Sequence, residues 1–548
     1  MSNLQTAFQR YVAAQAARVL TQMDRDPDSP TFGCFDRNFW HYKMRDFPSA
    51  VLQQGLFLLE ALRQERVETV RVAPAVIEPW CLSAVASLAR HVSRPGGLDE
   101  YYPLEHSYPA AAFGLYTVSR VLYDWRVSAP HLFESVQVHW SALRRLAVHV
   151  ARRKELQAVN QQAAGLAGLA FANAVGLLDS RAAVEAHADR VLRAQRPEGW
   201  FDEYGGPDTG YLTVTLDALS DYAELWGDPR AHEAIDRSVG FLATLVGADG
   251  RLPSTLNSRN TDYVVPYGLV RAARRNPIAA WLVETLFASL DQPGHFLWAT
   301  DDRYQTHYVF ASVVRSLPHL ELMQPPQAPS VERSSWLKGC GLWIQWAPDR
   351  QWTLYAAGQK GGLVRLHRVG ASAAVDAGWR ITRGSKIWVT NWWSAHWTVD
   401  QNDQRIRIRG RCQRAAYQVA SPAKHLALRL AAWLCRDALI PILKRLLIFR
   451  PRSADGPWFE RTVEFRTQGI RITDRIDALP GATAVPAPRQ NVRHVASADS
   501  FSAEEWIPPL VGTGRRSLEK PLVVQVEWEP AMRPADRPSE SLLSTVSR

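Results

Sequence analysis

The chain has 548 residues, 46% of them hydrophobic and 22% charged. That balance excludes a lasting disordered state, and the length excludes one ordinary core, so about two to four domains are expected. A formal charge of +10 favours an anionic partner, whether acidic glycan, nucleic acid or lipid headgroup, without choosing among them. The 21 tryptophans suit sugar-stacking surfaces or large cores alike. Five scattered cysteines (Cys34, Cys81, Cys340, Cys412, Cys435) show no CxxC spacing, which argues against a disulfide framework and predicts reduced, mostly buried thiols.

The opening MSNLQTAFQRYVAAQAARVL has no basic segment followed by a continuous apolar core, so it does not read as a secretory signal, and a cytoplasmic location is expected. Residues 1–322 carry a helical pattern. FPSAVLQQGLFLLEALRQE, PAAAFGLYTVSRVLYDW, NQQAAGLAGLAFANAVGLL, SRAAVEAHADRVLRAQ, GYLTVTLDALSDYAELWG and HEAIDRSVGFLATLVG all place apolar residues at i, i+3, i+4 and i+7. Gly, Pro and Asp-rich breaks separate them, as in a ring of helical hairpins with a cleft at one end. MQPPQAPS, residues 323–330, is a proline-rich linker.

Beyond it the period changes to two. CGLWIQWAP, QWTLYAAG, GLVRLHRVG, AAVDAGWRITRG, SKIWVTNWW, RIRIRGR, RTVEFRTQGIRITDRI and LVVQVEWE alternate and are rich in β-branched and aromatic residues, which predicts an antiparallel β-sandwich over 331–530. The fold class expected is therefore multidomain α+β: an N-terminal (α/α) toroid followed by a C-terminal antiparallel β-sandwich. Residues 531–548 read as a disordered tail. Residues 421–452 break the β pattern with a basic helical insertion in which Pro441 is expected to kink or divide the helix. Lys424, Arg429, Arg436, Asp437, Lys444 and Arg445 interrupt its apolar runs, so it is too short to span a bilayer. It suits either an anionic membrane surface or packing against the sandwich.

Polar clusters recur where the helices meet their loops. GCFDRNFWHYKMRDFPSA holds Arg37 and Trp40, and DEYYPLEHSYPAAA holds Tyr102, Glu105 and His106. AVNQQAAG puts Asn160 and Gln161 at the head of an apolar helix, where an Asn also serves as a plain cap. EGWFDEYGGPDTGYLTVT sets Tyr204 and Tyr211 around a glycine-rich turn. LNSRNTDYVVPYG supplies Arg259, Asn260 and Tyr263, and TDDRYQTHYVF supplies Arg303 and Tyr304. Singly, each residue reads as a cap or a buried hydrogen bond. Together they suit an acidic sugar: Arg for carboxylates, Asn and Gln for neutralising hydrogen bonds, aromatic faces for pyranose rings.

NQQAAGLAGLA, EGWFDEYGGPDTGYLTVTLDAL, NSRNTDYVVPYG, DDRYQTHYVF and KGGLVRLHRVG resemble the heparinase II/III-like proteins found with bacterial exopolysaccharide and lipopolysaccharide genes, over about residues 30–530. The resemblance implies a polysaccharide lyase that β-eliminates a uronic-acid glycan or its lipid-linked precursor. It further implies catalytic roles for Asn160 (carboxylate neutralisation), Tyr211 (proton transfer), His367 (a second proton-transfer residue, or a plain strand residue) and Arg259 (lowering the phenol pKa). Gln161, Tyr204, His106, Tyr102, Asn260, Tyr263, Arg303, Tyr304, Arg37 and Trp40 are expected to bind substrate. Lyases of the family often carry a His-x-His-x-Asp stretch, whereas GGLVRLHRVGASAAVDAG has only His367 and, further on, Asp376. No cofactor or catalytic metal is expected. Alternatives are a C5-epimerase, a glycoside hydrolase using Asp202, Glu203 and Asp208, or a non-catalytic glycan-binding or assembly protein on the inner membrane.

Overall fold

The computed structural model describes residues 3–68, 70–155, 157–254, 256, 261, 263–415, 419–443, 453–466, 469–488, 510 and 514–529. Arg259, Asn260, residues 444–452 and the predicted tail lie outside the described residues.

The helical pattern resolves into two concentric sets. Leu56–Arg63 packs on Tyr108–Ser128, and the contacts continue through Val159–Ala174, Thr209–Trp226 and Tyr267–Ala272 to Phe310–Ser316, which returns to Leu56–Arg63 and closes the ring. Against these inner helices lie Asn3–Leu20, Pro74–His91, Trp140–Arg152, Arg181–Arg193, Pro229–Leu245 and Pro277–Phe287. Composition explains the division. Trp140–Arg152 has an apolar stripe at Leu143, Leu146, Ala147 and Val150 with charges elsewhere, so it covers one face only. Val159–Ala174 is apolar on all sides after its first turn and is buried from Val159 to Ala172. Close approach there depends on glycine, because a Cβ on Gly165 would stand 2.3 Å from the Tyr108 hydroxyl.

Several buried polar groups inside the ring are paired. Asp221 accepts from the Tyr116 and Tyr267 hydroxyls, each at 2.6 Å, and Arg315 donates to Asp217 at 3.0 Å. Burial raises the Asp217 carboxyl, against the opposing pull of Arg315, to about 6.

The second half forms three antiparallel sheets among the described residues. One is a meander: Ser334–Leu337, Leu342–Trp346, Trp352–Ala357, Leu363–Arg368 and Ala371–Asp376. The second orders Gln413–Ala415, Lys386–Val389, Trp379–Arg383, Thr483–Pro486 and Arg516–Ser517. The third orders Leu522–Trp528, Gly469–Ile476, Trp458–Arg466, Arg405–Arg411 and Thr398–Asn402. Their inward residues, among them Trp343, Leu354, Val364, Trp379, Ile406, Ile408, Phe459 and Val463, make one core. Inside it Arg461 donates to Asp474 at 2.7 and 2.6 Å and pairs with Asp376 at 2.8 Å. Asp376 is thus a buried structural carboxylate. The toroid-and-sandwich expectation holds, and Cys34, Cys81, Cys340 and Cys412 are buried and free, while Cys435 is free and exposed.

The insertion differs from expectation in where it divides. Pro422–Cys435 is one helix, the break falls at Arg436–Ala438 with Arg436 at φ 45°, and a short helix follows at Leu439–Leu443. Pro441 stands in the first turn of that second helix, where its missing N–H has no intrahelical bond to make, so it begins a helix rather than breaking one.

Candidate active site

Each inner helix is preceded by an outer one that runs back, so the inner helices all begin at the same end of the ring. The sandwich is seated on that end. Gly339 N donates to Glu198 at 2.7 Å, the Tyr355 hydroxyl to the Leu245 carbonyl at 2.8 Å, and Ala248 N to Thr353 at 3.0 Å. Trp393 presses on the loop before Thr209–Trp226, where a Cβ on Gly205 (φ +102°) would lie 2.6 Å from the indole. The loops that open the inner helices therefore face the second domain.

Tyrosines gather there. Asp208 caps Thr209–Trp226 by accepting from Tyr211 N at 2.9 Å, which fixes Tyr211 in the first turn. The Tyr211 ring centre lies 6.2 Å from Tyr263 and 5.8 Å from Tyr308. Tyr308 stacks on Tyr263 at 6.2 Å and on Tyr304 at 5.9 Å. A π-helical turn, Gln305–Val309, presents His307 and Tyr308, and such turns are frequent at functional sites. Gln54 Nε2 donates to His307 Nδ1 at 2.6 Å, leaving the imidazole proton on Nε2. Burial, with Arg303 nearby, holds His307 well below its ordinary pKa, so it is neutral at neutral pH. Burial, with Tyr263 and Tyr304 adjacent, pushes the Tyr308 phenol well above its usual range.

Asn160 opens the neighbouring inner helix. Its backbone N and Nδ2 both donate to Glu203, at 2.8 and 2.7 Å, and its Oδ1 is buried with no hydrogen-bond partner. Gln161 Oε1 is likewise buried and unpartnered. Unsatisfied buried acceptors side by side are costly unless a donor arrives. Arg303 donates to Glu100 at 2.6 Å and to Ser49 at 3.1 Å, and its guanidinium lies 5.1 Å from the Tyr101 ring centre. Next to it, Glu105 accepts from the backbone of Glu100 and Tyr101 at 3.0 and 2.7 Å, while burial and the Glu100 charge raise its carboxyl. His106 (φ 49°) and Tyr204 (φ 59°) occupy the left-handed region that side chains disfavour, a strain that clusters at functional sites. Tyr102 packs nearby with its hydroxyl buried and unpartnered.

Other candidates make different contacts. His367 is buried in Leu363–Arg368, pairs through Nδ1 with Asp249 at 2.8 Å and packs edge-on to Tyr355, 4.9 Å away. It is a residue of the seam between ring and sandwich, with Nε2 left unpartnered. Trp40 gives its indole N–H to the Gln22 carbonyl at 2.7 Å, and Arg37 stands 5.3 Å from the centre of the Tyr42 ring. Both belong to the Asp36-capped turn rather than the tyrosine cluster. The carboxylates weighed for hydrolysis have structural partners: Asp202 takes Arg196 at 2.8 Å and Gly205 N at 2.9 Å, Glu203 holds Asn160, and Asp208 is a cap. Among the described residues, no group of three or more His, Cys, Asp and Glu side chains is disposed to hold a metal ion.

Sequence reasoning missed Glu203 as the orienting partner of Asn160, and Gln54, Ser49 and Trp393. Only the indole run TNWWSAHW hinted at Trp393.

No family model and no curated protein sequence matches the chain. Solved structures do. The chain aligns over 88% of its length with 67% of a chondroitin AC lyase of Streptomyces coelicolor A3, solved with chondroitin sulphate, at 12% identity and a TM-score of 0.53. It aligns over 87% with 72% of heparinase III, at 9% identity and 0.47. A GH127 β-L-arabinofuranosidase from Geobacillus stearothermophilus T6 aligns over 96% of this chain and 95% of its own, at 11% identity and 0.33. The chain shares the helical-toroid and β-sandwich fold of that chondroitin AC lyase.

Proposed function

We propose that the protein is a polysaccharide lyase that cleaves a uronic-acid-containing polysaccharide of bacterial origin, or its precursor, by β-elimination. The observation that carries this reading is the tyrosine cluster around Tyr211 at the inner-helix end, beside an Asn160 whose carbonyl oxygen is buried and unpartnered.

Elimination needs three events. The uronate carboxyl must lose its charge, a base must take the C5 proton, and an acid must protonate O4 as the C4–O4 bond breaks and the C4–C5 double bond forms. Glu203 takes both N–H groups at Asn160, so what Asn160 offers is an acceptor. It thus favours a protonated carboxyl, whose O–H it binds, and that form makes the C5 proton more acidic. Tyr211 takes this proton, and a second phenol of the cluster supplies O4. A free phenol titrates near about 10, so Tyr211 needs cations beside it. Arg303 is one described cation at this end, and Arg259 is the second assigned here. Gln161, Tyr204, His106, Tyr102, Tyr263, Tyr304 and Asn260 contact the sugar chain.

The structural employment of Asp202, Glu203 and Asp208 favours elimination over hydrolysis. The test is the ultraviolet absorbance of the unsaturated uronate on incubation with a panel of acidic glycans. The expected result is a rise that Tyr211→Phe abolishes and that Asn160→Ala lowers by roughly 10²–10³. A flat trace across the panel with tight glycan binding overturns turnover, and deuterium uptake at C5 without cleavage assigns an epimerase instead.

A further inference from the structure

The helix Pro422–Cys435 has an apolar face that no described element covers. Leu426, Leu430, Trp433 and Leu434 are 61%, 54%, 62% and 72% exposed. Their spacing, i, i+4, i+7 and i+8, places them on one stripe, while Leu428 is half-buried and Ala432 is fully buried on the inward side. Ile442, in the short helix that follows, is 50% exposed. Isolated exposed apolar residues need no explanation, but a contiguous stripe containing a tryptophan does.

The rim of the stripe is cationic. Lys424, His425, Arg429 and Arg436 are all exposed, in a chain of net charge +10. Arg429 makes a two-pronged ion pair with Asp46 at 2.8 and 2.9 Å, which ties the helix to the loop ahead of the inner helices. That loop also carries exposed Tyr42, Lys43 and Met44. The Arg429–Asp46 pair thus joins two segments remote in sequence, each with exposed apolar, aromatic and basic groups.

We infer that this surface docks on an anionic lipid bilayer. The helix lies in the plane of the interface, with Leu426, Leu430, Trp433 and Leu434 among the upper acyl chains and the basic rim at the headgroups. Charge complementarity selects this occupant over a second copy of the chain, since self-pairing would bring two basic rims together. No described helix is long and apolar enough to cross a membrane, so the contact is peripheral. Asp46 lies three residues from Ser49, which accepts from Arg303, so docking sets the inner-helix end of the ring near the lipid surface.

The full chain should co-sediment with vesicles of phosphatidylglycerol and phosphatidylcholine and much less with phosphatidylcholine alone. The double variant Trp433→Ser, Leu434→Ser should lose roughly tenfold or more of the partitioning. Its thermal midpoint should be unchanged because both side chains are exposed, which separates loss of docking from loss of fold. The inference is overturned if the wild-type chain stays in the supernatant, or if the double variant partitions equally. It is also overturned if the protein is a dimer without lipid that the same substitutions convert to monomer.

Discussion

The helices Val159–Ala174 and Pro422–Cys435 have 16 and 14 residues and are both mainly apolar, yet the first is buried from Val159 to Ala172 while the second buries only Ala432 among its described residues. Apolar content says that a helix gains from cover; it does not say what supplies it. In the ring the cover is other helices, admitted to close range by Gly165 and Gly168, whose Cβ atoms would meet Tyr108 and Tyr116. In the insertion no described element covers the outward stripe. The first helix opens on Asn160 at the candidate site, and the second is tied by Arg429 to the loop that leads there.

The comparison is broken most severely by truncating the buried helix. Leu169→Ala removes a fully buried side chain and should cost about 2–5 kcal/mol, read as a lowered midpoint in denaturant unfolding. A smaller effect is pH-dependent. The folded-state pKa of Asp217, in the neighbouring inner helix, is raised to about 6. Between about pH 4 and that value the folded chain holds a proton that the unfolded chain has lost, so this group withdraws stability as pH rises through the window. Asp217→Asn lacks the titration, so its stability relative to wild type should climb between those pH values in paired unfolding curves. The smallest effect is expected at the exposed stripe, where Leu430→Ala should change stability by less than about 0.5 kcal/mol. A large loss there would mean that the stripe is covered in solution.

Much of the site was legible as loop chemistry. Tyr211, Tyr263 and Tyr304 each sit where an apolar helix begins, and the ring brings all three to one end. Arg37 and Trp40 occupy a similar place in the sequence, but Asp36 folds their segment into its own capped turn. His367 carried no local sign of its partner: Asp249 is 118 residues away, and only docking of the sandwich on the ring joins them. In sequence Glu203 is one of three carboxylates open to the hydrolase alternative, and its contact with Asn160 emerges only when two loops pair through Ala158 and Glu203.

By itself the sequence determined the period of each element. The period depends on side chains a few residues apart, and hydrophobic spacing of 3.6 or 2 is enough to specify a helix or strand and its buried face. It also determined the change of architecture after the proline-rich segment and the absence of a disulfide pattern. The tertiary structure decided the rest: that the inner helices close into a ring, that four phenols and a neutral imidazole share one end, that Asn160 offers an acceptor, and that one apolar stripe faces outward. Each of these is a contact between segments distant in the chain, whose geometry follows from how the elements pack and which polar groups they leave unpaired.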